Sequence, residues 1–165
     1  MYAIAKLESQ TRRYGWRSPP SGIVRFEQSA PGQPTVVTVW IQGVAPGVHG
    51  LHVHEFGSTE NGCASMGPHF DDGGMHTHGG RFDLNRHTGD LGNVRADSMG
   101  VVAERFTDHR IELSGSRSII GRGLVLHAQR DDLGRGGNAE SLKTGNAGAR
   151  IACGVIGIDQ HESSG

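Results

Sequence analysis

Eight short segments of the chain alternate apolar and polar residues, and this alternation limits the fold more than any other feature. A period of two places the apolar side chains on one face of a β-strand, whereas a helix needs a period near 3.6. No segment has a helical period over a convincing length. The pattern therefore predicts an all-β fold, a two-sheet sandwich or a flattened barrel. The predicted strands are Ala3–Leu7, Gly22–Gln28, Val36–Gln42, His49–Glu55, Gly92–Ala96, Val101–Phe106, Gly123–His127 and Arg150–Ile158.

Two long connections interrupt these strands. The first runs from Gly57 to Leu91 and is rich in glycine and histidine, and the second runs from Ala128 to Ala149 and is charged and rich in glycine. Loops of this length are unusual in a compact domain unless they carry function or are held by a metal ion or a disulfide. We therefore expect the two loops to be functional.

The composition limits the size and the partners of the protein. A length of 165 residues predicts one domain, residues 1–165, and 27 glycines fit many turns between short strands. A net charge of −1 argues against nucleic acid and membranes as main partners. No stretch approaches the ~20 apolar residues of a membrane span. The N-terminal segment has no apolar core of signal-peptide length, which favours the cytoplasm; an extracellular protein that has lost its signal peptide is the alternative.

The chain contains two cysteines, Cys63 and Cys153, which form no C-x-x-C pair. This spacing excludes a zinc ribbon and a thioredoxin-like motif. Two free thiols and one disulfide that closes a long loop both agree with the sequence, because spacing alone does not fix the distance between the two residues in the fold.

The histidines stand in several short motifs. In LHVHEF, His52 and His54 project from the same face of a predicted strand, although two such histidines alone are more often ordinary surface residues. Donors rich in imidazole, with one carboxylate, suit copper and zinc, whereas calcium and magnesium call for oxygen ligands. The remaining donors lie in GPHF, HTHGG, NRHTGD and GLVLH and are His69, His76, His78, His87, Asp90 and His127.

Longer motifs occur in a fixed order: GVHGLHVHEFG, GCASMGPHF, HTGDLGNV, LVLH, DDLGRGGN and KTGNAGARIACGVIG. Through these motifs the chain resembles the copper–zinc superoxide dismutase family over nearly its whole length, from AIAKL to ACGVIGI. The resemblance implies an eight-stranded Greek-key sandwich or flattened barrel with two functional loops. It also implies an enzyme that dismutates superoxide to dioxygen and hydrogen peroxide at a copper ion, with zinc as the structural partner and one ion of each metal per chain.

The resemblance further implies which residues hold the two metals. His69 is expected to bridge the two ions and to be catalytic. The implied copper ligands are His52, His54, His69 and His127. The implied zinc ligands are His69, His78, His87 and Asp90.

Other residues match positions around the family's metal site. Asp131 resembles the aspartate that links a copper ligand to a zinc ligand, and Arg150 resembles the catalytic arginine that docks superoxide beside copper. Cys63 and Cys153 occupy the positions of the family's intrasubunit disulfide, so the resemblance favours one bridge over two thiols.

The chain departs from the family pattern at two points. The loop after His69 is one residue longer and holds two histidines, of which His78 precedes Gly-Gly and keeps the usual nine-residue step to His87. We therefore predict His78 rather than His76 as the zinc ligand. Ala139 stands where the family often has an acid. The residues of the charged loop that the resemblance still associates with electrostatic guidance are Glu140, Lys143 and Thr144.

The other basic residues singled out in the sequence are predicted to be structural or to face solvent. His49 is predicted to be a packed, hydrogen-bonded structural residue, and His109 and His161 are predicted to face solvent. A solvated loop is favoured over an anion-binding patch for Ser9–Pro20, which carries Arg12, Arg13 and Arg17.

The expected partners follow from the resemblance. The substrate is the superoxide anion, the segments HEFG, IIGR and VIGI resemble the family's dimer contact, and a copper-delivery chaperone is a further candidate partner. The main alternative function is a metal-binding protein without turnover. Such a protein is expected to lose a copper ligand or the arginine, whereas this chain keeps all four copper positions and Arg150.

Overall fold

The computed structural model describes residues 1–9 and 16–160, which fold into short strands joined by loops. Helix in these residues is limited to one 3₁₀ turn, Ala64–Met66, and one short helix, α1, Ser141–Thr144. Arg12, Arg13 and His161 lie outside the described residues. The strands are β1 (Tyr2–Glu8), β2 (Ser21–Gln28), β3 (Thr35–Gln42), β4 (Gly47–His54), β5 (Glu60–Cys63), β6 (Asp90–Ala96), β7 (Val102–Asp108), β8 (Gly123–His127) and β9 (Arg150–Asp159).

Eight of the described strands close a barrel in the order β1-β2-β3-β7-β6-β4-β8-β9. The pairs are antiparallel, and β9 closes the barrel against β1. From β3 the chain passes two strand positions to reach β4, and from β7 it passes two positions to reach β8. These are Greek-key connections, so the predicted all-β architecture is confirmed.

The eight predicted strands are present, and their ends differ from the prediction by at most two residues. β6, for example, begins at Asp90 rather than at Gly92. The short strand β5 was not predicted, because its sequence ENGC has no apolar alternation.

Strands β1 to β3 bury every second residue, as their alternation predicts. Leu7, Phe26 and Val37 point into the barrel, where they are almost completely buried, while Lys6 and Arg25 face outward. Burial of such side chains stabilises the fold by about 1.5–3 kcal/mol each. The barrel interior is therefore an ordinary apolar core.

Strand β4 is buried on both faces. Leu51 and Val53 point into the core, while His52 and His54 point outward and are still only 0% and 1% exposed. The covering comes from the two long loops. Two histidines on the outer face of the barrel are therefore buried beneath the long loops.

A disulfide joins Cys63 of β5 to Cys153 of β9 across a sequence separation of 90 residues. The predicted disulfide is confirmed. It ties the first long loop to the barrel wall, since Cys153 is a buried residue of the sheet. Among the described residues, no helix has the length and apolar character needed to cross a membrane.

Replacement of Leu7, which is 0% exposed in the core, by alanine tests the packing of the barrel. The lost contacts and the cavity left behind are expected to lower the free energy of unfolding by about 2–5 kcal/mol in urea titration. The matched control is Leu84→Ala, because Leu84 is 90% exposed, and a change below about 0.5 kcal/mol is expected there. Equal effects of the two substitutions would contradict the assignment of the core.

Candidate metal centre

Backbone hydrogen bonds bring the first long loop back onto β4. His69 forms an isolated bridge with His54, and the amide of Phe70 donates to the carbonyl of Val53 over 2.8 Å. Gly89 donates in turn to the carbonyl of Phe70. The histidines of the loop are therefore placed by main-chain contacts with the strand that carries His52 and His54.

The first donor group contains four histidines, and all four are buried. One ring nitrogen of each lies within 4.8 Å of the corresponding atoms of the others. The members are His52, His54, His69 and His127, the four predicted copper ligands.

In two rings of this group, a hydrogen bond at Nδ1 determines which ring nitrogen carries the proton. Nδ1 of His54 and Nδ1 of His127 donate to the carbonyls of Gly67 and Gly148 at 2.8 and 3.1 Å. A carbonyl can only accept, so Nδ1 carries the proton and Nε2 keeps a bare lone pair. The two Nε2 atoms lie 3.3 Å apart. Two lone pairs at this separation fit coordination of a shared cation.

Two nitrogens of the group are buried without a hydrogen-bond partner. They are Nδ1 of His52 and Nε2 of His69. A buried polar atom without a partner costs free energy, about 1–3 kcal/mol in protein variants. A metal ion at the centre of the group would satisfy both atoms, so the donor set fits copper.

The second donor group surrounds the carboxylate of Asp90. Oδ1 of Asp90 lies 2.9 Å from Nδ1 of His69 and 3.0 Å from Nδ1 of His78, and the nearest Asp90 oxygen is 3.2 Å from Nδ1 of His87. The amides of Gly79 and His87 donate to Oδ2, which holds the carboxylate in place. Nδ1 of His78 has no hydrogen bond of good geometry despite its short distance. Three imidazoles and one carboxylate are a donor set that zinc accepts.

His69 belongs to both groups, with Nε2 in the first and Nδ1 in the second. The groups are also joined by Asp131, which is fully buried. Its carboxylate accepts 2.7 Å hydrogen bonds from Nε2 of His52 and from Nε2 of His78. Carboxylates in this position fix the ring orientation of metal-binding histidines. Asp131 therefore connects one histidine of the first group with one histidine of the second.

Burial keeps the first group neutral. Burial, followed by repulsion between neighbouring imidazoles, holds the pKa of His52 and His54 well below the ordinary value of 6.5. Burial also lowers the pKa of His127 to about 3. These rings therefore carry no charge at neutral pH, and their lone pairs need not lose a proton before they bind a metal.

The second group has the opposite electrostatics. Burial lowers the pKa of His78, but the hydrogen bond to Asp131 and the nearby negative charge of Asp90 outweigh it and raise that pKa to about 9. Burial works to raise the pKa of Asp90, and close contacts with the ring nitrogens of three histidines hold it well below the ordinary value. In the metal-free second group, His78 is therefore an imidazolium beside the carboxylate of Asp90 at neutral pH.

A pocket of about 1040 Å³ opens onto both groups. Arg150 lines it, and its Nη1 and Nη2 atoms donate to the carbonyls of Cys63 and Gly67 at 2.9 and 2.7 Å. Both carbonyls belong to the disulfide-anchored part of the first loop. Burial lowers the pKa of Arg150, and the guanidinium remains a cation at neutral pH. Further residues of the pocket wall are Glu140, Lys143 and Thr144.

The structure separates the two histidines of the lengthened loop. His78 lies in the second group, whereas His76 lies outside both groups and has its side chain 35% exposed. His49 is buried with both ring nitrogens against carbonyl oxygens, as expected for a structural residue. His109 is exposed.

Arg86 and Asp108 support the site but were not predicted from the sequence. Arg86 precedes His87 and is 2% exposed, and its guanidinium donates to the carbonyls of His87 and Thr88 and to the Asp108 carboxylate at 2.8 Å. Asp108 ends β7, so the pair anchors the turn that carries two donors of the second group. Nothing local in the sequence marks an arginine in a polar loop as buried.

The chain is similar to known proteins over most of its length. A family model described as copper/zinc superoxide dismutase matches residues 20–156. The Cu-Zn superoxide dismutase of Onchocerca volvulus is 53% identical over 141 residues, which cover 84% of this chain and 89% of the relative. The Cu-Zn superoxide dismutase A of Xenopus laevis is 56% identical over 83% of this chain and 89% of the relative. The Saccharomyces cerevisiae Cu-Zn enzyme is 52% identical over 84% and 90%.

The choice between the two loop histidines can be tested with matched variants. His78→Ala removes a nitrogen of the second group and is expected to weaken zinc binding by ~10-fold or more. His76→Ala is expected to leave equilibrium zinc affinity unchanged, because His76 lies outside the group. Zinc per chain would be measured by elemental analysis after competition with a chelator. Zinc loss in His76→Ala alone would reverse the assignment.

Proton release on zinc binding tests the electrostatics of the second group. With the pKa of His78 at about 9, its Nδ1 holds a proton at pH 7 that zinc must displace. Calorimetry of metal-free protein in buffers of different ionisation enthalpy should therefore show release of about one proton per zinc at pH 7. Release should fall to about half of this value near pH 9, where half of the rings are already neutral, and should disappear roughly one pH unit higher. The absence of proton release at pH 7 would contradict this protonation state.

Proposed function

Since the chain belongs to the copper/zinc superoxide dismutase family, we infer that its two buried donor groups are the metal sites of the enzyme. The family's reaction converts two superoxide anions and two protons into dioxygen and hydrogen peroxide, and its metals are copper and zinc. The observation that carries the assignment of sites is the position of His69, with one ring nitrogen in each group.

We propose that the first group holds copper and the second holds zinc. Copper, when bound, supplies one-electron reduction and oxidation, and zinc supplies a fixed charge without redox change. The neutral imidazoles of the first group support the copper assignment, and the carboxylate of Asp90 in the second supports zinc. The proposed copper ligands are His52, His54, His69 and His127, and the proposed zinc ligands are His69, His78, His87 and Asp90.

His69 is proposed to handle the proton of the reaction. Hydrogen peroxide needs two protons, and Nε2 of His69 is a buried atom beside the pocket that can hold and release one. The other ring nitrogen, Nδ1, belongs to the second donor group, which would hold the ring in position while Nε2 gains or loses the proton. A proton delivered from a fixed position needs no rearrangement of solvent.

Arg150 is proposed to bind the superoxide anion. Its guanidinium is fixed by two carbonyls that cannot neutralise its charge, and it lines the same pocket as His54, His69 and His127. A fixed cation in a pocket attracts small anions and raises the association rate. Lys143 on the pocket wall adds to this attraction, while Glu140 opposes it and accepts a hydrogen bond from Thr144.

We also propose a homodimer. The segments HEFG, IIGR and VIGI are neighbours in the fold, since the amide of Gly121 donates to the carbonyl of Ile156 and Gly57 lies close to Val155. Phe56 is 51% and Ile158 is 66% exposed there, which supports an apolar contact between two copies. Sedimentation that finds single chains at micromolar concentration would contradict this proposal.

Three further points remain proposals. The chain is one domain, which the closure of the barrel by β1 and β9 supports. A copper-delivery chaperone is a proposed partner, because the buried first group must acquire its ion after folding or during it. The cytoplasm is the proposed compartment, with an extracellular location as the alternative that cell fractionation would reveal.

The function itself is tested by loading the purified chain with copper and zinc and measuring superoxide decay beside the metal content of each sample. The enzyme proposal predicts activity that follows copper content and that a chelator abolishes. A chain that holds both metals and does not accelerate superoxide decay would instead be a metal-binding protein without turnover.

Reversal of the charge at Arg150 tests anion attraction. Arg150→Glu is expected to lower kcat/KM for superoxide by ~10-fold or more and to retain copper, because Arg150 belongs to neither donor group. Activity of the unmodified protein should fall as salt rises, while that of the variant should rise, since screening weakens repulsion as well as attraction.

The control for this change is Arg105→Glu, which makes the same charge change at an exposed residue of β7. It should leave most of the activity and its salt dependence intact. Equal kinetics for the unmodified protein and Arg150→Glu would remove Arg150 from anion binding.

A further inference from the structure

His76 stands at the wall of the same pocket that opens onto the two donor groups. It shares the lining with His54 and His127 of the first group and with His87 of the second. It is half-exposed and lies outside both groups. An ion that moves from solvent through this pocket therefore passes a wall that carries a partly exposed imidazole as well as the buried donors.

The ring of His76 is held by Asp71. The Asp71 carboxylate accepts hydrogen bonds from the His76 amide at 3.0 Å and from Nδ1 at 2.8 Å. With Nδ1 carrying the proton, Nε2 keeps its lone pair, and among the described residues it has no hydrogen-bond partner. A histidine that donates one ring nitrogen to a carboxylate and leaves the other free is the arrangement usual for metal-binding histidines.

We propose that His76, oriented by Asp71, is a capture ligand that binds copper or zinc transiently on its way to the buried groups. The proposal rests on the proposed function, because it takes those groups as the destination. Glu140 lines the same pocket and offers an oxygen donor. One oriented imidazole with water or a carboxylate binds weakly, which suits a ligand that must release its ion. A bound ion in the pocket has a much higher effective concentration near the groups than an ion in solution.

The test is the rate of zinc uptake by the metal-free protein, followed by stopped flow with a fluorescent zinc indicator. His76→Gln removes the nitrogen donor and is expected to slow uptake by ~10-fold, with final zinc per chain and equilibrium affinity unchanged. Asp71→Asn, which weakens the hold on the ring, should slow uptake by a smaller factor. The matched control is His109→Gln, because His109 is an exposed histidine outside the pocket, and it should load at the unmodified rate.

Each other outcome overturns the proposal. Equal uptake rates for the unmodified protein and His76→Gln would show that the residue captures no metal. Lower final occupancy in His76→Gln would make it an equilibrium ligand instead. If zinc uptake is slower in His109→Gln as well, loss of any surface imidazole slows uptake, and the effect is not specific to His76. If the unmodified protein takes up no zinc at all, the proposed metal sites are wrong. If it loads fully and the substitution of His76 does not change the rate, only the capture proposal is wrong.

Discussion

The structure is organised around the burial of imidazoles whose free lone pairs point toward one another. Nδ1 of His52 and Nε2 of His69 are enclosed without hydrogen-bond partners. Such atoms are unfavourable in a protein interior unless something binds them. Two metal ions would turn this cost into binding free energy, and the shared ring of His69 makes the two sites one unit.

Residues around the two donor groups hold the histidine rings in position. Asp131 joins His52 to His78, the carbonyls of Gly67 and Gly148 set the protonation of two further rings, and Arg86 with Asp108 anchors the turn around His87. The barrel contributes β4, whose inner face packs in the core and whose outer face carries two donors. Because the loops are tied by a disulfide and by main-chain bonds to this strand, the donors can be in place before an ion arrives.

Local patterns in the sequence predicted the strands well, because alternation in segments such as β2 and β3 directly reflects one buried and one exposed face. They did not predict β5, where four polar or small residues are held by the disulfide at Cys63. The metal ligands were expected from a resemblance, and the structure brings those residues into two groups. Arg86 could not have been found in the same way, because its burial depends on Asp108, a residue 22 positions away whose contact only the fold creates.

We propose that one imidazole, that of His69, lies between a copper ion and a zinc ion. Anomalous diffraction from crystals of the metal-loaded chain, recorded on both sides of the copper and zinc absorption edges, tests it most directly. We expect a copper peak among His52, His54 and His127, a zinc peak beside His78, His87 and Asp90, and the ring of His69 between them. A structure in which both sites are filled and His69 contacts only one metal, or in which the two metals are exchanged, would contradict the account.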